Sequence, residues 1–540
     1  MKFTIFSVLC LLCTSIGQPL FAQARFSSGL TPDFHQSRRD ALRAEMPENS
    51  VAVLFNAPVR NRANDVDYEY HPDPNFYYLT GWKEPHAVLL IYKDAQKDSI
   101  GVYDEVLYVR QRNAYDEMWN GKRAGLEGAQ KAGFERVVSR NAFATDAHNF
   151  DRFETVLIFD FDTDIKDFKN DPHDLFDLQA SLKEKINYPK DFNATQYRLY
   201  QKIRQHSPEN TEQLKREIRF YTQNDPSLAE DPLIAAFLTA LSPDTFTELR
   251  QKSAFSLRTT NFDISTLGGF MADLREIKSP EEVALIKKAV SISAQGQIEV
   301  MKALHPQMSE REIQGIHQYI YKRYGAAHEG YPSIVGAGGN GCVLHYITND
   351  LMEVKNQLVL MDLGAEYQGY TADVTRTVPA QGFFTEPQRQ LYQLVYAAQE
   401  AGIAAAQVGG TFADIGAACR EVVAKGLVEL GLIADEKEVR KYLPHGVAHH
   451  IGLDVHDPGN YGRLAANMII TVEPGIYVPE GSDCDPKWWD IGIRIEDDIL
   501  ITEAGPINLS AAAPRKWEDI EALMKEPSPL DQFQLPEIKE

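Results

Sequence analysis

The stretch Leu358–Arg376, LVLMDLGAEYQGYTADVTR, constrains the fold more than any other part of this 540-residue chain. An apolar run from Leu358 to Met361 enters it, and Gln368-Gly369 supplies turn chemistry, so it reads as a β-hairpin. If Tyr367 and Gln368 form a two-residue loop, residues whose numbers sum to 735 face each other, and Asp362 lies opposite Asp373. Two carboxylates directly across a ladder sit about 5 Å apart at Cβ and repel. A fold keeps that arrangement only with positive charge between them. On the hairpin alone, two surface aspartates flanking a turn is the competing reading.

A chain of this length exceeds what one core supports, so two or three domains are expected. The formal charge of −22 argues against a nucleic-acid partner and against an anionic membrane surface. Residues 1–24 carry a secretory signal pattern: Lys2, an apolar run from Phe3 to Cys13, and a small-residue cleavage site at Ala22-Gln23-Ala24. The protein is therefore expected to be exported, either periplasmic or secreted. No later stretch is apolar over the length of a membrane span. Beyond the leader, Cys342, Cys419 and Cys484 give neither a disulfide scaffold nor zinc-ribbon spacing, and they read as structural.

Residues 25–160 read as a first α/β domain, with strand-like runs at 51–55, 87–92, 105–109 and 155–159 and helical patterns at 32–46 and 125–132. The aromatic segment Asn75–Trp82 reads as a packed strand. Residues 161–270 are polar, proline-punctuated and mostly helical, an insertion or connector. A second domain is expected over 271–525, with a tail over 526–540. Ser279-Pro280-Glu281-Glu282 opens its first helix as a capping box, and Ser309 with Glu312 opens the next. The run GAGGNG lacks the strand–helix context and the lysine of a nucleotide loop.

Four further spots carry metal-ligand chemistry: PHGVAHHIG with VHDPG (residues 444–459), TVEPGIY (471–477), IRIEDD (493–498), and His345 in VLHY. Glu473 and Glu496 each interrupt a run of isoleucines and valines. A carboxylate there is costly unless paired or bound to a cation. Four carboxylates and an imidazole form a hard, oxygen-rich donor set. Charge counting favours two divalent ions, Mn²⁺ ahead of Zn²⁺ or Co²⁺, with a bridging hydroxide between them.

With these residues in place, the chain resembles the creatinase/aminopeptidase family of metallopeptidases and, within it, the aminopeptidase P (Xaa-Pro aminopeptidase) branch. The resemblance rests on the motifs above, strongly over 272–525, and on NFYYLTGWKEP and AYDEMWNGKRAG over 30–160. It implies an α/β (α+β) chain with an N-terminal creatinase-like α/β domain and a C-terminal pita-bread domain. It implies metal ligands Asp362, Asp373, His449, Glu473 and Glu496, with Asp373 and Glu496 bridging. It implies catalytic roles for His345, His445 and His456, and a proton-transfer role for Glu473. Tyr331, Val455 and Arg494 correspond to the proline pocket, and Trp119 to a tryptophan donated by a neighbouring subunit of a dimer or tetramer. The implied substrate is a peptide with proline in second position. A prolidase, acting on Xaa-Pro dipeptides, and a non-catalytic peptide-binding module are the alternatives. The chain departs from the pattern in its long 161–270 stretch, in the short segment Arg463–Met468 without a Pro-Gly turn, and in having His450 where an aromatic or apolar residue is common.

Overall fold

The computed structural model of this protein describes residues 29–258 and 260–532; the expected signal segment, and residues 533–540 of the expected tail, lie outside them. The first sheet has six strands, in the spatial order 137–139, 102–109, 88–97, 50–55, 155–158 and 262–263. Alternate residues point to opposite faces. Ala52, Leu54, Leu89 and Ile91 join a core shared with the second domain, while Val51, Val53, Val88 and Leu90 form a separate one on the other face. Both faces are covered, which explains the unbroken apolar runs.

The segment Asn75–Trp82 corrects its expected strand. It forms an α-helix, Pro74–Thr80. The Asp73 carboxylate accepts from the Phe76 N–H at 2.7 Å, Pro74 fills the first turn, and Gly81 closes the helix in the left-handed region at φ +66°. Start and stop chemistry outweighs the strand preference of Phe76, Tyr77 and Tyr78. Within 161–270, four helices (Ala194–Arg204, Thr211–Asn224, Pro232–Thr239 and Pro243–Leu257) enclose a small core of their own around Ile203, Leu214, Ile218 and Phe237. Phe262–Asp263 then returns to the first sheet, parallel to Thr155–Ile158.

The second domain is built from helices α1 (Pro280–Ala303), α2 (Glu310–Arg323), α3 (Glu386–Ala405) and α4 (Phe412–Glu429). Its strands are β1 (Ile334–Ala337), β2 (Leu358–Asp362), β3 (Ala365–Tyr367), β4 (Tyr370–Thr371), β5 (Thr375–Pro379), β6 (Ile469–Val472), β7 (Gly475–Val478), β8 (Ile491–Arg494) and β9 (Asp497–Leu500). The Ser279–Glu282 capping box forms as expected, and Ser309 caps α2.

The hairpin forms, with a different register. Asp362 faces Thr375 and Tyr367 faces Tyr370, so facing residues sum to 737 rather than 735. The loop is Gln368-Gly369, at φ +56° and +90°, the left-handed pair of a type I′ turn. Asp362 and Asp373 are therefore diagonal neighbours, not direct opposites. A slip of two residues keeps both on one face, because side chains alternate with period two.

Both hairpins that carry the expected ligands are interrupted midway. The break after β2 needs Gly364, where an added Cβ would lie 1.7 Å from the Ala372 carbonyl. A buried glutamine serves each break. Gln297 of α1 donates to the carbonyls of Met361 (3.1 Å) and Val374 (2.8 Å); Gln399 of α3 donates to the Val472 carbonyl (3.1 Å) and the Asp497 carboxylate (2.9 Å). Backbone groups freed by the breaks are thus satisfied, and side chains there turn to a common space.

Candidate metal centre

The breaks place the acidic residues. Asp362 ends β2, Asp373 sits between β4 and β5, Glu473 between β6 and β7, and Glu496 between β8 and β9. His449 joins them from the segment just before the isolated bridge between His450 and Ile470. Oxygens of Asp373 and Glu496 and a ring nitrogen of His449 lie within 4.8 Å of one another. Glu473 Oε1 is 3.5 Å from His449 Nε2. Asp362 lies beside Asp373, since the Tyr331 hydroxyl sits 2.7 Å from one carboxylate and 2.6 Å from the other. That hydroxyl has one hydrogen and satisfies one of the two at a time.

The imidazole of His449 is oriented by its Nδ1–H, which donates to the His450 carbonyl at 2.9 Å. In the neutral ring this directs the Nε2 lone pair at Asp373 and Glu473. The Thr375 hydroxyl donates to Glu496 at 2.6 Å, and the Asp373 N–H donates to the buried Asp498 carboxylate at 3.0 Å. Arg376, fully buried, donates to the Glu496 carbonyl at 2.7 Å and to Asp497 at 2.7 Å, tying β5 to β9.

Burial and mutual repulsion set the proton affinities. Burial pushes Glu473 up to about 7. Burial and the neighbouring Asp362 raise Asp373; burial and the neighbouring Asp373 raise Glu496 well above the carboxylate range. Burial opposes charge on His449, but Asp373 and Glu473 raise it to about 9. Asp362 alone is held below its ordinary value, against burial, by Arg494 at 2.5 Å. Three buried acids short of positive charge, beside a histidine whose Nε2 points inward and can give up its proton to a metal, are the donor set of a divalent cation. The residues fit that group.

These side chains line one cavity of about 660 Å³. Its lining includes Asp362, Asp373, His449, Glu473 and Glu496, with His345, His445, His456, Tyr331, Val455 and Arg494. An apolar wall is added by Pro332, Ile334, Leu344 and Ile347. Every residue given a metal, catalytic or substrate role from the sequence except Trp119 is there. Trp119 lies on a short helix of the first domain, Ala114–Asn120, 69% exposed.

Sequence reasoning missed Tyr477. It lies on β7, accepts from Arg494 Nη1 at 2.8 Å, and lies 2.9 Å from His445 Nε2. The His445 Nδ1–H faces the Gly446 carbonyl at 2.5 Å, and burial lowers this histidine to about 4, so it is neutral and accepts from the Tyr477 hydroxyl. The signal was present in GIYV, where period two puts Gly475 and Tyr477 on one face. Arg494 pairs with Asp362. The Asp457 carboxylate pairs with Arg275 and Lys278. His450 is fully buried, packed between Phe412 and Tyr461 with ring centroids 4.8 and 5.0 Å away.

Residues 284–503 match metallopeptidase family M24, and residues 35–152 match the aminopeptidase P N-terminal domain. The Xaa-Pro aminopeptidase of Haemophilus influenzae is 31% identical over 511 residues, spanning 92% of this chain and 99% of the relative. The Xaa-Pro aminopeptidase of Escherichia coli is 31% identical over 502 residues, spanning 91% and 97%. The solved structure of proline aminopeptidase P II from Yersinia pestis is similar with a TM-score of 0.71 at 30% identity, covering 92% of this chain and 99% of that one.

Proposed function

The chain belongs to the aminopeptidase P branch of metallopeptidase family M24 and is a metallo-aminopeptidase, and from that premise we propose that it removes the N-terminal residue from peptides with proline in second position, using two divalent cations. The observation that carries this reading is the meeting of Asp362, Asp373, His449, Glu473 and Glu496 in one cavity with an apolar wall. Asp362, Asp373, His449, Glu473 and Glu496 would hold the two cations between them. The oxygen-rich donors suit Mn²⁺, with Zn²⁺ and Co²⁺ as alternatives. Such a pair, when bound, acidifies a water and polarises a carbonyl.

The chain's own side chains do the rest. Ile334, Leu344, Ile347 and Val455 offer the pyrrolidine ring an apolar face. His345 and His456, which line the same cavity, would donate to the oxygen of the carbonyl that precedes proline, where negative charge develops. Glu473 takes the proton of the attacking water and returns it to the proline nitrogen, which carries no hydrogen in the peptide and must gain one to leave. Tyr477 and Arg494 hold His445 and Asp362 in place from behind. Export rests on the pattern of residues 1–24. A homo-oligomer would give the exposed Trp119 a neighbour's cavity to enter.

The test is turnover of Arg-Pro-Pro against Ala-Pro by the metal-loaded protein. Release of arginine from the tripeptide is the expected result. Cleavage of the dipeptide alone would make the protein a prolidase, and cleavage of neither would make it a binding module.

A further inference from the structure

A second cluster of buried charge lies outside the cavity. Arg275, just before α1, sends Nη2 to Asp457 at 2.5 Å and to Asp454 at 2.8 Å, and sends Nη1 to Asn75 of the first domain at 2.7 Å. Lys278 reaches the other oxygen of Asp457 at 2.8 Å. Arg275, Lys278 and Asp457 are each 2% exposed. The Asp457 carboxylate also accepts from the Asp454 N–H at 3.1 Å, closing a tight turn over 454–457. An added Cβ at Gly452 would lie 2.5 Å from this carboxylate, so the packing leaves room for it only beside glycine.

What Asp457 holds matters more than the charges themselves. Its backbone N–H donates at 3.0 Å to the His450 carbonyl, the same oxygen that receives His449 Nδ1–H. The turn it closes carries Val455 and His456, both lining the cavity, and the His456 ring lies 4.1 Å from that of His449. The Gly452 carbonyl, at the foot of the turn, receives the Thr371 N–H at 2.9 Å, two residues before Asp373. One carboxylate thus joins the orientation of a ligand imidazole to the placement of two substrate-facing side chains.

We infer that Arg275 and Lys278 are positioning residues for the reaction: by clamping Asp457 they fix the 454–457 turn, and through it His456, Val455 and the His450 carbonyl. This rests on the peptidase reading above for its kinetic consequence and on the contacts alone for its structural one. A buried ion cluster of this kind adds little net stability but selects one arrangement of the groups it joins. A displacement of about 1 Å at a substrate-facing group costs up to about 100-fold in rate.

The experiment compares wild type with Arg275→Lys, which keeps the charge and loses the fork, and with Asp457→Asn, which keeps the shape and loses the charge. The expected result is a loss of about 10- to 100-fold in kcat/KM on Arg-Pro-Pro for each, carried mainly by kcat. Hydrogen–deuterium exchange of the metal-free proteins is expected to quicken over 451–458 while α1 and β2 stay protected. Kinetic constants within twofold of wild type, with unchanged exchange over 451–458, would overturn the inference whatever the change in Tm. If Asp457→Asn does not fold, Arg275→Lys decides alone by the same two readings. If wild type itself cleaves no Xaa-Pro peptide, the functional reading fails, and the exchange measurement still judges the clamp.

Discussion

Asp457 and Asp373 are both buried aspartates of the second domain, 2% and 4% exposed, in opposite company. Asp457 meets Arg275 and Lys278, whose charges hold its proton affinity down against burial. Asp373 meets Asp362 and Glu496, in a cluster where His449 and Arg494 face four carboxylates, and its affinity is driven up. The first cluster is balanced by the chain itself. The second is balanced only with charge from outside. Burial alone therefore does not mark a functional carboxylate; the sign of its neighbours does.

That contrast can be broken by substitution. The largest effect is expected at the ligand cluster: Asp373→Ala should reduce peptide turnover to background while circular dichroism stays that of wild type. Turnover retained in this variant would remove the cation site from the account. Next is the balanced cluster. Lys278→Met leaves Asp457 paired with Arg275 alone and should cost about 1–3 kcal/mol in denaturant unfolding, because a buried carboxylate loses one of its two charged hydrogen-bond partners. The ligand cluster should respond with the opposite sign. In the metal-free protein, above the pH at which Glu496 loses its proton, Glu496→Gln removes a repelling charge and should raise stability by about 1 kcal/mol or more. A loss of stability there would mean that the acids are already balanced.

Proton uptake gives a milder version of the same test. Glu473, raised from 4.5 to about 7, binds its proton more tightly folded than unfolded. Its contribution is present below pH 4.5 and lost as pH rises through 7. His449, raised from 6.5 to about 9, acts in the same direction at higher pH. The metal-free protein should therefore lose Tm between pH 4.5 and 7, and saturating Mn²⁺ should flatten that slope. The smallest effect is expected far from both clusters. Arg60 and Asp164 form a surface pair at 2.6 Å, both exposed, and Asp164→Asn should leave Tm and turnover unchanged.

Much of this site was legible because carboxylates stand out in apolar runs. Glu473 and Glu496 declared themselves that way, and the hairpin exposed Asp362 and Asp373. The hairpin's register was misplaced by one loop position, since both Tyr367-Gln368 and Gln368-Gly369 offer a plausible turn. Only the left-handed angles at Gln368 and Gly369 decide between them. Asp362 and Asp373 still share one face, because a two-residue slip preserves it. The helix Pro74–Thr80 was hidden by its aromatics, although Asp73, Pro74 and Gly81 spelled its ends. Tyr477 left only the weak trace of its strand position, and the partners of Asp457 left none. Their roles depend on contacts between residues 17 to 182 positions apart, which no local pattern encodes.

The most direct test of the two-cation site is a calorimetric titration of the metal-stripped protein with Mn²⁺, run beside Glu496→Ala. Two equivalents per chain in wild type, with turnover appearing as they bind, and loss of both in the variant, is the predicted result. Full turnover in wild type with no bound metal, or two equivalents still bound by Glu496→Ala, would contradict it.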